Sequence, residues 1–290
     1  MSTEDRNPNT LDIDLLSTSD ALHLINREDE KAAQAVKAAM PQIAQAVDLI
    51  AERLAQGAQM IYVGAGTSGR LGVLDAVELG PTFGVGPDVV QALLAGGNEA
   101  LFEAQESLED DPQRGAADLR RRGFNKLDTV VGISAGGKTL YTLGAVRFAA
   151  SRGALTVGIT CNPDSDLSRL AALAIELDTG PEAITGSTRM KAATAQKMAL
   201  NMISSMTMIR LGHTYSNWMV RLRGESRKLT RRAVNIVSQA ASIPAEEAEP
   251  ILAEANDVPT AILMGRLDCS ASQARALLEK QGTLRKALGE

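Results

Sequence analysis

Five short apolar runs, Met60–Val63, Val89–Leu94, Thr129–Ile133, Leu155–Thr160 and Ala174–Leu177, alternate with stretches of helical spacing at about 69–79, 99–107, 113–122, 139–151 and 166–171. Alternating elements of these lengths predict parallel strands joined by right-handed crossovers, an α/β fold. Upstream, Ser19 and Asp20 can cap a short helix through Ile25, and Asp29 can start a longer one. Helical spacing continues from Ala32 to Leu54, with Pro41 marking a kink or a break and Gly57 ending the pattern. Downstream, Met190–Leu211 is apolar around most of its circumference, as suits a domain core or a subunit interface. A second long helical pattern spans Trp218–Ala241 and stops at Ile243-Pro244. Three short amphipathic segments follow, Ala245–Ala255, Thr260–Leu267 and Ser270–Gln281, with Ser270 a good N-cap. Residues 1–18 are polar, an ordered arm or a loose tail. The expected organisation is an N-terminal arm with helices (1–56), an α/β core (57–242) and a small helical domain (243–290).

Three of the apolar runs lead into loops of Gly, Ser and Thr: Gly64-Ala65-Gly66-Thr67-Ser68-Gly69, Ser134-Ala135-Gly136-Gly137-Lys138-Thr139 and Thr185-Gly186-Ser187-Thr188-Arg189. In an open parallel sheet, ligands bind beyond the carboxyl ends of the strands. The first two loops follow their strands directly. The third lies beyond Asp178-Thr179-Gly180-Pro181 and leads into the Met190 helix. Together they predict a crevice lined with hydroxyls and backbone N–H groups, which suits the three anionic oxygens of a phosphate monoester.

Composition narrows the chemistry. Hydrophobic residues make up 44% of the chain but aromatics only 3%, so the core must be aliphatic. A net charge of −5 gives no electrostatic reason to expect nucleic acid. No apolar stretch approaches the ~20 residues that cross a bilayer, so no membrane partner is expected. The first residues lack a basic and an apolar segment, and two cysteines, Cys161 and Cys269, make no disulfide framework. A cytoplasmic protein is expected. His23 and His213 are the only histidines, which leaves no helix-spaced metal pair and gives proton transfer to carboxylates.

Two motifs point elsewhere. Gly64 to Gly69 fits the dinucleotide fingerprint G-x-G-x-x-G, but the next strand ends Ala95-Gly96-Gly97-Asn98 without the acid that would hold a ribose. Thr67 and Ser68 suit a terminal phosphate better than a pyrophosphate. Gly132 to Thr139 fits the P-loop pattern G-x-x-x-x-G-K-T, yet Gly132 lies inside its strand and no apolar run ending in Asp follows to hold a metal. Lys138 is still useful as a cation beside a phosphate.

The chain resembles the N-acetylmuramic acid 6-phosphate etherases of the sugar isomerase (SIS) fold. The resemblance rests on Leu16-Ser17-Thr18, Ile25-Asn26-Arg27-Glu28-Asp29, Gly64-Ala65-Gly66-Thr67-Ser68-Gly69-Arg70-Leu71-Gly72, Asp75-Ala76-Val77-Glu78 and Ala95-Gly96-Gly97. It continues through Thr185-Gly186-Ser187-Thr188-Arg189-Met190-Lys191-Ala192 and Thr194-Ala195-Gln196-Lys197, and covers nearly the whole chain. It implies a three-layer SIS fold with a five-stranded parallel sheet, N-terminal helices and a small C-terminal helical domain. It further implies a homodimer, with no metal or organic cofactor, and cleavage of the lactyl ether of a muramic acid 6-phosphate.

Carried over position by position, the resemblance makes Glu78 the proton donor and Glu109 the second acid/base residue. The substrate and its phosphate fall to Gly66, Thr67, Ser68, Gly69, Arg70, Ser134, Gly137, Lys138, Thr139, Ser187, Thr188 and Lys191. Glu78 lies near the expected end of its helix, where the dipole would raise its pKa and favour an acid. Glu103, Glu106 and Glu109 alone would read as a solvated helix stripe. Ten helical positions from Ser68 to Glu78 span about 15 Å, long for one hexose phosphate, so the sugar is expected near the subunit interface. The chain departs from the family at Leu79-Gly80-Pro81 and at Ser134-Ala135-Gly136-Gly137-Lys138-Thr139-Leu140, where Lys138 replaces an arginine. The basic stretch from Arg221 through Arg223, Arg227 and Lys228 to Arg232 reads as a solvated helix face. The competing functions are a non-catalytic sugar-phosphate sensor and a sugar-phosphate isomerase. Both acids being present favours the etherase.

Overall fold

The structure is a computed structural model that describes residues 1–103, 106–222 and 227–290. Two compact units make up the chain: Met1–Val77 with Pro87–Ser205, and Glu78–Gly86 with Met206–Glu290.

In the first unit, Ser17 rather than Ser19 opens the first helix. Its Oγ accepts the Asp20 N–H at 3.2 Å, and α1 then runs unbroken over Thr18–Ala38. Two helices were expected here, but nothing in Asn26-Arg27-Glu28 breaks the pattern. The break comes at Ala39, and α2 (Met40–Ala55) begins with Pro41 in its first turn, where a missing N–H costs nothing. The polar arm ahead of α1 is ordered, with Thr3, Asn7 and Thr10 all buried.

Five strands follow: β1 (Met60–Gly64), β2 (Val90–Leu94), β3 (Thr129–Ile133), β4 (Leu155–Thr160) and β5 (Leu173–Glu176). They form one parallel sheet in the order β2-β1-β3-β4-β5. The helices between them are α3 (Gly66–Phe83), α4 (Pro112–Arg121), α5 (Leu140–Ser151) and α6 (Asp166–Leu170). Strand side chains alternate between faces. Ile61, Val63 and Val130 pack with Leu119 of α4 and Tyr141, Ala145 and Val146 of α5. The intervening Tyr62 and Ile133 lie against Gly72 of α3, where a Cβ would come within 3.1 and 3.2 Å of them. Helices therefore cover both faces of the sheet, and every residue of β1, β3 and β4 is buried.

Of the helix expected at 99–107, residues 104 and 105 lie outside the described residues, and the described ones form two single 3-10 turns, Glu99–Leu101 and Glu106–Leu108. Arg70 reaches this segment, its Nε and Nη2 donating to the carbonyls of Ala100 (2.8 Å) and Glu103 (3.2 Å). The chain then enters α7 (Lys191–Arg210), whose leading part belongs to this unit.

In the second unit, the long helix expected from Trp218 starts later. Thr214–Tyr215 (β6) and Trp218–Met219 (β7) pair antiparallel around Ser216, whose φ is 51°, and the Tyr215 and Trp218 rings lie 6.0 Å apart. Five helices follow: α8 (Arg227–Ala241), α9 (Ala245–Ala255), α10 (Val258–Leu267), α11 (Ala271–Gln281) and α12 (Leu284–Ala287). Val237, Ala261, Ile262, Leu263, Ala274 and Leu284 build their shared core. Ser270 caps α11 as expected, in a capping box with Gln273. Arg227, Lys228, Arg231 and Arg232 are exposed on α8, while Arg223 and Glu225 lie outside the described residues.

Candidate active site

At the carboxyl end of β1 the chain turns through Ala65 into the first residues of α3. Gly66 adopts φ +51°, and a Cβ there would sit 3.2 Å from Glu109 Oε1. The site thus needs glycine twice over, for its backbone conformation and for the carboxylate above it. The leading N–H groups of a helix have no intrahelical acceptor, and Thr67 and Ser68 stand at that point in α3. Ser68 is buried and its hydroxyl donates to Gln196 Oε1 on α7 at 2.8 Å, leaving the Gln196 Nε2 without a hydrogen-bond partner.

The second loop is built on β3. Ser134 Oγ accepts the Gly137 N–H at 3.1 Å and lies 2.9 Å from Thr139 Oγ1. Gly137 has φ +70°, and a Cβ on it would run into Ser165. Thr139 occupies the N-cap of α5 without making a side-chain cap bond. Gly132 is inside β3, as its sequence context suggested, because a Cβ there would lie 2.6 Å from Val146 Cγ2. Glu109 is tied to this loop by its carbonyl, which accepts the Tyr141 N–H at 2.9 Å. Asp111, two residues on, caps α4.

The third loop is built differently. The N–H groups of Lys191 and Ala192, which open α7, donate to the carboxylate of buried Glu182 at 3.2 and 2.9 Å. Burial raises the Glu182 pKa, against the pull of those two N–H groups. Sequence reading missed this cap, since Glu182 lies nine residues before the helix and shows no capping pattern.

One cavity of about 380 Å³ gathers much of this. Thr67, Ser68, Ser134, Lys138, Thr139 and Thr188 line it, together with Gly66, Arg70 and Glu109. Glu4 of the N-terminal arm was not expected there, and it reaches the cavity too. Four expected phosphate contacts are not in the lining. Gly69 packs α3 on the sheet, with Leu94 Cδ1 only 2.5 Å from where a Cβ would be. Gly137 shapes its loop. Ser187 uses its N–H on the Ile184 carbonyl at 3.0 Å. Lys191 is fully buried, and its Nζ lies 2.5 Å from Glu28 Oε2 in an ion pair. Arg70 lines the cavity but already spends its guanidinium on two carbonyls.

Glu78 belongs to the second unit and is exposed. Because α3 continues through Pro81 to Phe83, Glu78 stands more than a turn before the helix ends. Asp75, from the same motif, is buried, where it accepts from Tyr62 (2.8 Å) and Ser204 (3.1 Å). Burial raises its pKa despite those bonds, and it does not line the cavity. Among the described residues, no group of His, Cys, Asp and Glu is arranged to hold a metal ion, and no helix is long and apolar enough to cross a membrane.

A parallel sheet covered on both faces, with hydroxyl-bearing loops at its carboxyl end, defines the class. Residues 121–206 match the SIS domain, and residues 42–150 match the glucokinase regulatory protein N-terminal SIS domain. The fold is similar to that of a proposed phosphosugar isomerase involved in capsule formation from Bacteroides fragilis NCTC 9343. That structure has a TM-score of 0.52 and 22% identity over 70% of this chain and 97% of the other. The chain is 50% identical to N-acetylmuramic acid 6-phosphate etherase 2 of Vibrio cholerae serotype O1, over 99% of this chain and 94% of that protein. It is 47% identical to the N-acetylmuramic acid 6-phosphate etherase of Clostridium beijerinckii, over 100% and 96%. The chain belongs to the N-acetylmuramic acid 6-phosphate etherase family.

Proposed function

We propose that this chain cleaves the D-lactyl ether of N-acetylmuramic acid 6-phosphate, giving N-acetylglucosamine 6-phosphate and D-lactate in the recycling of cell-wall amino sugars. The observation that carries this reading is the cavity, where hydroxyls from three separate loops meet one lysine and the Glu109 carboxylate. That lining suits a phosphate together with a group that exchanges protons.

The ring-opened sugar has an aldehyde at C1, which acidifies the C2 proton. A carboxylate base takes that proton, and the electron pair forms the C2–C3 double bond. The C3–O bond breaks as an acid protonates the departing ether oxygen, releasing D-lactate. Water then adds at C3 of the unsaturated aldehyde, and a proton returns to C2. One water is consumed overall. In this scheme Glu78 donates to the leaving oxygen and Glu109 is the second acid/base residue. Phosphate binding falls to Thr67, Ser68, Ser134, Lys138 and Thr139. No step calls for a metal. The working form is a cytoplasmic homodimer with the active site near the subunit interface. Leu74 and Val77 support this, as apolar α3 side chains that are 47% and 64% exposed.

The test is D-lactate release from N-acetylmuramic acid 6-phosphate by wild type, Glu78→Gln and Glu109→Gln. Each substitution should lower kcat by roughly 10²–10⁴, the usual weight of a general acid or base. Sugar-phosphate binding without lactate release by wild type would point to a sensor. Unchanged release by Glu78→Gln would remove the donor assignment.

A further inference from the structure

We propose that Glu4, delivered by the N-terminal arm, is a positioning residue that accepts a hydrogen bond from an uncharged donor of the bound sugar, a hydroxyl or the acetamido N–H. This rests on the reading of the cavity as a sugar-phosphate site.

The arm holds Glu4 between two anchors. On one side, Thr3 is fully buried: its N–H donates to Asn162 Oδ1 at 2.8 Å, and Asn162 Nδ2 donates back to Thr3 Oγ1 at 3.1 Å. On the other, buried Asn7 donates from Nδ2 to Glu28 Oε2 (2.8 Å) and to the Pro181 carbonyl (3.0 Å). Glu4 itself is exposed and lines the cavity. Its Oε2 stands over the third loop, 3.4 Å from where a Cβ on Gly186 would lie, and nothing else comes within 4 Å of that point.

Charge decides what Glu4 can meet. A carboxylate accepts hydrogen bonds and repels a second anion. The neighbouring α7 N-terminus cannot offset that repulsion, because its leading N–H groups already serve the Glu182 carboxylate. The opposite holds at the second loop, where Lys138 lies and where α5 has no side-chain cap. The phosphate is therefore centred on the second loop, and Glu4 is left with the neutral part of the sugar. Placed so, Glu4 orients the hexose.

The experiment measures binding of N-acetylglucosamine 6-phosphate and of inorganic phosphate by calorimetry, for wild type, Glu4→Gln and Glu4→Ala. Among the described residues the side chain's one hydrogen bond is a long one from Thr3 Oγ1 at 3.5 Å, so both variants should fold, which a thermal melt checks. The sugar phosphate should bind about tenfold more weakly to Glu4→Ala, as expected for losing a hydrogen bond to a charged acceptor. Inorganic phosphate should bind equally well or more tightly. Equal weakening of both ligands, or an unchanged sugar phosphate, overturns the assignment of Glu4 alone. A wild type that binds no sugar phosphate overturns both the assignment and the reading beneath it.

Discussion

Two lysines on glycine-rich segments were expected to do the same work, and the structure separates them. Lys138 is exposed on the cavity wall, whereas Lys191 is buried against Glu28. Lys138→Met should weaken sugar-phosphate binding by about tenfold, measured by calorimetry, through loss of a charge-assisted bond. Lys191→Met should leave that affinity nearly unchanged and instead destabilise the fold. Stranding a buried carboxylate costs about 3–5 kcal/mol, and the low end applies here because Lys31, Asn7 and Asn9 still reach Glu28. Denaturant midpoints give the second number. Glu28 also has a pH signature. Burial alone would raise its pKa, but bonds from Lys191, Lys31, Asn9 and Asn7 prevail and bring it from 4.5 down to about 2. A depressed carboxylate stabilises the fold fully above its unfolded pKa, and that contribution fades as pH falls toward the folded value. The wild type should therefore lose about 3 kcal/mol between pH 4.5 and pH 2 from this group, and Glu28→Gln should lack that component of the acid profile. A sequence shows that Lys191 and Glu28 exist, but not that residues 163 positions apart fold together.

At the scale of elements, what was legible followed from period and local punctuation. Thr129–Ile133 and Leu155–Thr160 match their strands to the residue, and Ala245–Ala255 its helix, because turn or cap residues stand close after each, Ser134 to Gly137, Asn162-Pro163 and Asn256. The described residues of the helix expected at 99–107 form 3-10 turns instead, in a segment whose Ala100 and Glu103 carbonyls accept from Arg70, a contact no local pattern shows. The Trp218 helix failed because a two-strand pairing with Tyr215 took its first residues. Close helix packing was equally hidden. Gly144 of α5 meets α4 so tightly that a Cβ would lie 2.0 Å from the Pro112 carbonyl oxygen. Gly144→Ala should force these helices apart and lower stability by about 1–3 kcal/mol or more, despite its better helix propensity. Because α4 follows Glu109 and α5 follows Thr139, the same variant should lose activity beyond its stability loss, read from kcat under native conditions.

At the scale of the molecule, the three loops could be read from sequence because a strand–loop–helix unit carries its chemistry in consecutive residues. Their meeting in one cavity followed from the parallel topology. Glu4 could not be read, since it meets a loop far along the chain, nor could Glu182, which caps α7 from nine residues upstream without a capping pattern. The whole account turns on which bond breaks in the ether, and oxygen labelling reads that directly. Turnover of N-acetylmuramic acid 6-phosphate in H₂¹⁸O, followed by mass spectrometry of both products, should place ¹⁸O on C3 of the N-acetylglucosamine 6-phosphate and leave the lactate hydroxyl unlabelled. Label in the lactate hydroxyl, with none at C3 of the sugar, would show cleavage on the other side of the ether oxygen and contradict elimination by the carboxylates.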